Sequence, residues 1–113
     1  MENCLFCKIL SGEIPSSKVF EDDRVYAFRD IQPQAPTHIL VIPKKHIDSF
    51  DAINNAEDED LVSCLRAIRE IAVREKLDRG YRVVSNCGPD ACQSVMHLHF
   101  HILGGAQLAD RMV

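Results

Sequence analysis

His97-Leu98-His99-Phe100-His101-Ile102-Leu103 decides the fold. Three histidines alternate with apolar residues, and a period of two is the pattern of a half-buried strand. Successive side chains on a strand point to opposite faces. Leu98, Phe100 and Ile102 therefore face a core, and the three imidazoles share the other face. Neighbouring rings in such a row stand roughly 6.6 Å apart along the strand. Imidazole titrates near neutrality, so a row of three can bind metal, attack an electrophile or pass protons. A solvated strand face usually mixes Lys, Glu and Thr. Here three of the five histidines fall in one five-residue window, which marks the face as functional.

Immediately upstream, Cys87-Gly88-Pro89-Asp90-Ala91-Cys92-Gln93-Ser94 reads as a loop that delivers the chain into the histidine strand. Such a loop can present backbone N–H groups to an anion, and Ser94 adds a hydroxyl. A phosphate held there would lie against the imidazole of His99. A neutral imidazole can attack phosphorus and split one hard step into two. Gly104-Gly105 closes the strand.

Further out, residues 81–86 read as a strand and residues 56–79 as one long helix. Asn55 is positioned to cap it, and Glu57, Asp58, Glu59 and Asp60 favour the positive end of its dipole. Leu61, Leu65, Ile68 and Ala72 mark its buried stripe, with Cys64, Ile71 and Glu75 beside them. Gly80 ends it. Residues 37–42 form an apolar strand closed by Pro43. Residues 19–21 and 25–29 form a hairpin turning at Asp22-Asp23. The loop from Asp30 to Pro36 is broken by two prolines. Residues 4–10 make one or two helical turns stopped near Gly12, and residues 47–53 hold a short helical turn.

The 113 residues, 46% hydrophobic, suit one domain with a mostly aliphatic core. A net charge of -4 disfavours a general grip on nucleic-acid backbone, while leaving room for a mononucleotide. No window nears the ~18 apolar residues of a membrane span. The opening Met1-Glu2-Asn3-Cys4 lacks the regions of a secretory signal. An odd count of five dispersed cysteines speaks for a reducing compartment, cytoplasm or nucleus.

Cys4-x-x-Cys7 has the spacing at which two thiolates reach one tetrahedral zinc. Its remaining ligands must come from far along the chain, where His46 and one histidine of the triad are available. Redox chemistry and two inert core cysteines are the competing readings. His38 within its apolar strand is either structural or functional. Asp30 at a strand end either accepts hydrogen bonds from a sugar diol or caps its loop.

These residues together resemble the histidine-triad family, whose motif alternates His and apolar residues as 97–103 do. The resemblance is to its nucleotide-binding branch, the purine nucleoside phosphoramidases. Phe6-Cys7-Lys8-Ile9, Glu13-Ile14-Pro15, Phe20-Glu21-Asp22-Asp23 and Ala27-Phe28-Arg29-Asp30-Ile31 carry it. So do Ala35-Pro36-Thr37-His38, Val41-Ile42-Pro43-Lys44-Lys45-His46-Ile47, Gln93-Ser94-Val95 and Leu103-Gly104-Gly105. It covers nearly the whole chain.

The resemblance implies an α+β fold: a five-stranded antiparallel sheet, one long helix and a short N-terminal helix. It implies a homodimer with a continuous ten-stranded sheet. It also implies hydrolysis of purine nucleoside 5'-phosphoramidates to a nucleoside monophosphate and an amine. By position, His99 is then the nucleophile, and His101 and Ser94 contact the phosphate. Cys92 and Gln93 lie in the phosphate loop, and His38 supports proton transfer. Asp30 takes the ribose hydroxyls, Ile31 lies against base or sugar, Phe6 and Phe28 wall the base, and Asn86 meets the ribose-phosphate region. Structural zinc falls to Cys4, Cys7, His46 and His97.

Two features depart from the family pattern. Cys92 stands where a small residue is usual, and the tail after Gly105 lacks an aromatic, proline-rich ending. The rival readings are a nucleotide sensor with little turnover, a metallohydrolase ligated by His97, His99 and His101, and a dinucleoside polyphosphate hydrolase.

Overall fold

Asp22 turns the first hairpin. Its Oδ1 accepts hydrogen bonds from the N–H groups of Arg24 and Val25, both at 2.8 Å, a side chain standing in for a backbone turn. In the computed structural model, which describes residues 3–112, this folds β1 (Lys18–Glu21) against β2 (Val25–Arg29). The remaining strands are β3 (Thr37–Pro43), β4 (Tyr81–Val84) and β5 (Phe100–Gly104). They form one antiparallel sheet in the order β1-β2-β3-β5-β4, as the histidine-triad resemblance implied.

β3 lies at the centre, and from His38 to Pro43 it is buried. Its alternate side chains feed two separate clusters. Ile39 and Val41 join Val25, Ala27, Phe100 and Ile102 beneath the long helix α2 (Asp58–Arg74). Leu40 and Ile42 join Cys4, Phe6 and Phe28 beneath the short helix α1 (Leu5–Leu10). α1 therefore roofs one end of the histidine face, where His97 and His99 are buried, while His101 is only half-buried.

Several boundaries differ from the sequence reading. β5 starts at Phe100, three residues later than the alternation predicts. Before it, His97 N–H bonds to Val95 O at 2.9 Å and Leu98 N–H to Ile47 O at 2.6 Å, so the chain leaves the ladder. β4 stops at Val84 because Ser85 turns its hydroxyl onto His99 O, 2.9 Å away.

α2 is shorter than expected at both ends. Residues 50–55 form a 3-10 turn capped by Ser49, and Glu57, not Asn55, precedes α2. At the other end Lys76 takes a left-handed φ of 57°, which lets Leu77 fold back into the core. The buried stripe is Asp60, Cys64, Ala67, Ile68, Ile71 and Ala72. Leu65, expected inside, is 56% exposed. Small side chains at 64, 67 and 72 line the contact, and small residues permit close approach of helix to sheet. Asp60 is carried into the interior, where its Oδ1 receives Arg24 Nη1 at 2.6 Å. That bond ties the first hairpin to α2.

Gly105 adopts φ +88°, and a Cβ there would lie 3.0 Å from Pro36 Cβ and 3.3 Å from Thr37 N. Gly105→Ala combines backbone strain with a clash against the loop that carries the site. It should lower unfolding free energy by at least about 1 kcal/mol, measured by urea denaturation. An unchanged midpoint would contradict the assigned backbone.

Candidate active site and metal centre

The three histidines of the motif are held in distinct ways, and their partners set which nitrogen carries the proton. A carbonyl oxygen only accepts, so a ring nitrogen facing one must be N–H. His97 Nε2 faces Pro43 O at 2.9 Å, which leaves His97 Nδ1 as a lone pair. His99 is reversed: its Nδ1 faces His97 O at 2.7 Å, which leaves Nε2 as the lone pair. His101 Nδ1 lies 2.8 Å from His38 Nε2, and His38 Nδ1 accepts from the backbone N–H of Gln34 at 2.9 Å. The His99 and His101 rings are 5.1 Å apart and meet edge-on.

His97 and His99 are nearly fully buried. Burial holds the His99 imidazole below its ordinary value, against a raising effect of the His97 carbonyl bond and the Asp30 charge. His101 is pushed down to about 4 by burial and by its neighbours His99 and His38. His38 is also lowered by burial, with Asp30 opposing. Around neutrality these rings are uncharged, the form in which an imidazole can act as a nucleophile.

α1 supplies the roof. Phe6 packs edge-on against His99 at 5.1 Å, His97 at 5.9 Å and Phe28 at 5.5 Å. Phe6 and Phe28 are both buried, so they brace the rings and close the apolar end of the site. Asp30 continues from β2. Its Oδ1 accepts from Gln32 N–H at 2.8 Å, and its Oδ2 lies 3.4 Å from His38 Nε2. Ile31 beside it is 94% exposed.

The residues of the loop from Cys87 to Ser94 are organised around Gln93. Its Oε1 accepts from Gly88 N–H at 2.9 Å, and its Nε2 donates to Asp48 O at 2.9 Å and Val95 O at 3.0 Å. Its amide is thus engaged in bracing the loop, and the side chain shapes the loop from within. Cys92 sits at a left-handed φ of 60° and is exposed, as is Ser94. Asn86 is half-buried just past β4.

Cys4, Cys7, His46 and His97 converge from three separated stretches, with their donor atoms all within 4.8 Å of one another. Cys4 Sγ is 3.3 Å from His97 Nδ1, and Cys7 Sγ is 3.4 Å from His46 Nδ1 and 3.6 Å from His97 Nδ1. A tetrahedral zinc with usual bond lengths requires sulfur-to-nitrogen edges of about 3.5 Å. The outer nitrogens are anchored as well: His97 on Pro43 O and His46 Nε2 on Asp48 Oδ1 at 2.7 Å. Outer partners of this kind aim a ligand's lone pair inward. Burial pushes the Cys7 thiol up to about 11, with Cys4 adding to the rise. A cation between the sulfurs supplies the charge that reverses this. The residues therefore fit a divalent ion of zinc's type.

A second cluster, Asp30, His38 and His101, also has its donor atoms close together. It does not suit a metal. Gln34 N–H occupies His38 Nδ1, so His38 Nε2 must hold the proton, and ligation there would require an anionic ring. The metallohydrolase reading needs His97, His99 and His101 together and finds no such grouping among the described residues: His97 Nδ1 faces the sulfurs of Cys4 and Cys7, His101 clusters with Asp30 and His38, and His99 joins neither set.

Sequence reasoning did not foresee Gln34, Asp48 or Ser85. Asp48 had a signal, the local His46-x-Asp48 spacing. Gln34 and Ser85 had none, because one acts through its backbone and the other through a carbonyl fourteen residues away.

The HIT domain model matches residues 11–108. The chain belongs to the HIT family. Within that family it is similar to the 14 kDa zinc-binding protein of Zea mays, 51% identical over 107 residues that cover 92% of this chain and 83% of that one. It is 49% identical over 107 residues to adenylylsulfatase HINT1 of Arabidopsis thaliana, covering 92% and 72%. A crystal structure of a HIT family hydrolase from Legionella pneumophila Philadelphia 1 superposes with a TM-score of 0.91 at 50% identity, covering 95% and 96%. The triad motif, residues 97–103, lies within the matched HIT domain. Among the described residues, no helix is long and apolar enough to cross a membrane.

Proposed function

We propose that this HIT protein hydrolyses the P–N bond of purine nucleoside 5'-phosphoramidates through a covalent nucleotidyl intermediate on His99. One observation carries the reading: the bond from His99 Nδ1 to His97 O at 2.7 Å. It leaves Nε2 with a lone pair and holds the ring in one orientation. In the first step Nε2 forms a bond to phosphorus while the bond from phosphorus to the leaving nitrogen breaks. That nitrogen takes the electron pair and a proton from the aqueous mouth of the site. The His97 carbonyl stays on Nδ1–H and stabilises the positive charge the ring acquires. Water then attacks phosphorus and releases a proton to solvent, the P–Nε2 bond breaks with its electron pair returning to Nε2, and nucleoside monophosphate leaves.

In this reading His101 and Ser94 contact the phosphate, and His38 orients His101. Gln93 and Cys92 set the phosphate loop, Asp30 takes the ribose hydroxyls, Asn86 meets the ribose-phosphate region, and Ile31, Phe6 and Phe28 bound the base. Cys4, Cys7, His46 and His97 hold a structural zinc that pins α1 over the histidines. The chain pairs with a second copy through the β4 edge, where Tyr81 and Val83 are exposed. The zinc-binding name of the maize relative supports the metal.

The name of the Arabidopsis relative favours a second substrate for the same nucleophile, an adenylyl group bearing sulfate in place of the amine. Incubation with adenosine 5'-phosphoramidate and with adenylyl sulfate separates the two. The phosphoramidase reading requires release of AMP from the former and an adenylyl adduct on His99 by mass spectrometry. Binding without turnover of either would leave a nucleotide sensor instead.

Burial lowers the His99 imidazole from its ordinary 6.5. The reactive neutral form therefore persists as pH falls, and kcat/KM should begin its acid-side decline below pH 6.5. A profile with its acid midpoint above 6.5 would contradict this.

A further inference from the structure

We infer that the backbone N–H of Gln34 is a positioning group that locks the His38–His101 pair in its uncharged form, so that His101 serves as a fixed neutral hydrogen-bond donor. This deepens the proposed reading of the same site and rests on it for the identity of the acceptor, a phosphoryl oxygen.

The chain of donors runs one way. Gln34 N–H points at His38 Nδ1 from 2.9 Å, so that nitrogen has no proton. A neutral His38 then carries its proton on Nε2, which lies 2.8 Å from His101 Nδ1. His101 Nδ1 must accept, and the His101 proton is forced to Nε2. Adding a third proton to the pair meets an obstacle at every nitrogen. At His38 Nδ1 it would face the Gln34 N–H head-on. At His101 Nδ1 it would face the His38 Nε2–H across 2.8 Å.

The titratable groups facing the pair are Asp30 and His99. Asp30 Oδ2 lies 3.4 Å from His38 Nε2, and its charge pulls toward protonation. His99, 5.1 Å away by ring centre, opposes it at His101. The Gln34 N–H and burial outweigh the single carboxylate.

A neutral imidazole N–H whose far nitrogen is tied to a donor polarises an oxygen without surrendering a proton. His101 is thus fitted to stabilise charge on the phosphoryl group and unfitted to be the acid that protonates the leaving amine. The Pro33-Gln34-Ala35-Pro36 loop holds the amide in place. Gly105 packs against that loop at Pro36 and Thr37, so this glycine, just past β5, supports the same device.

The test is nitrogen NMR of the imidazoles in substrate-free, zinc-loaded protein, which does not depend on turnover. His38 and His101 should each show a protonated Nε2 and a bare Nδ1, unchanged from pH 8 to pH 5. A ring protonated on both nitrogens within that range, or the reverse tautomer on either ring, overturns the proposal. Gln34→Pro deletes the N–H. It should raise the titration midpoint of the pair by at least about one unit, a tenfold larger charged fraction at a given pH. Gln34→Ala keeps the N–H and should give wild-type nitrogen shifts. If Gln34→Pro does not fold, His38→Glu serves. Its carboxylate can only accept, so it should move the His101 proton to Nδ1, and an unmoved proton overturns the proposal. Wild-type shifts as stated, in protein that fails to turn over phosphoramidates, would refute the proposed reaction and leave the tautomer assignment standing.

Discussion

His99→Ala is expected to abolish phosphoramidate turnover, by on the order of 10⁴-fold or more, with AMP affinity retained within several-fold. The size follows from what the ring does in the proposed reaction. It is the atom that bonds to phosphorus, and water in its place would have to attack without a preset geometry. The binding contacts proposed for Asp30, Ser94, His101 and the phosphate loop lie outside the deleted ring. Because His99 is buried against Phe6, the truncation also opens a void. His99→Gln is the companion variant, since it fills most of the volume and lacks the nucleophilic nitrogen. Both should fail to form the adenylyl adduct. Turnover within tenfold of wild type in either one would remove His99 from the reaction.

Loss of the metal should produce the second large effect. Cys7→Ala, or prolonged chelation of the wild type, is expected to melt roughly 15 °C lower than the zinc-loaded protein. A ligand present at a thousand times its dissociation constant stabilises the fold by about 4 kcal/mol, and a domain of this size shifts by roughly 4 °C per kcal/mol. The four donors join the start of α1 to the segment after β3 and the approach to β5. Without an ion, two thiols and two imidazoles must share the site, with Cys7 held protonated by burial. α1 carries Phe6 against His99, so a loosened α1 should also lower kcat, by less than the nucleophile deletion. Equal melting temperatures with and without chelator, on protein shown to have lost its metal, would refute a structural ion.

Much of the sheet was legible because its strands keep a period of two or run apolar without interruption. β2 and β3 began where the reading placed them, and the triad pointed to the family. α2 was harder. Its apolar residues occupy more than one stripe, and Leu65 and Val73 stay outside while Asp60 goes in, held by Arg24 from another element. Periodicity cannot anticipate a buried carboxylate whose partner lies 36 residues away. The four metal ligands followed from the family resemblance and do cluster, but residue spacing alone gave only Cys4 and Cys7 and left the other two open. Their convergence depends on β3 ending at Pro43 and turning His46 back toward Cys7. The tautomers were illegible altogether, since Pro43 O, His97 O and Gln34 N–H are backbone groups that every sequence carries.

β3 shares its backbone between the two clusters, with His38, Leu40 and Ile42 on one side and Ile39 and Val41 on the other. Close-packed interiors transmit displacement because they have no slack. The helix-covered side therefore acts as a chassis for the chemistry opposite: a misfit beneath α2 at Val41 moves the rung that aligns Leu40 with His101. Substitutions beneath α2 that never approach the imidazoles should therefore still detune their alignment.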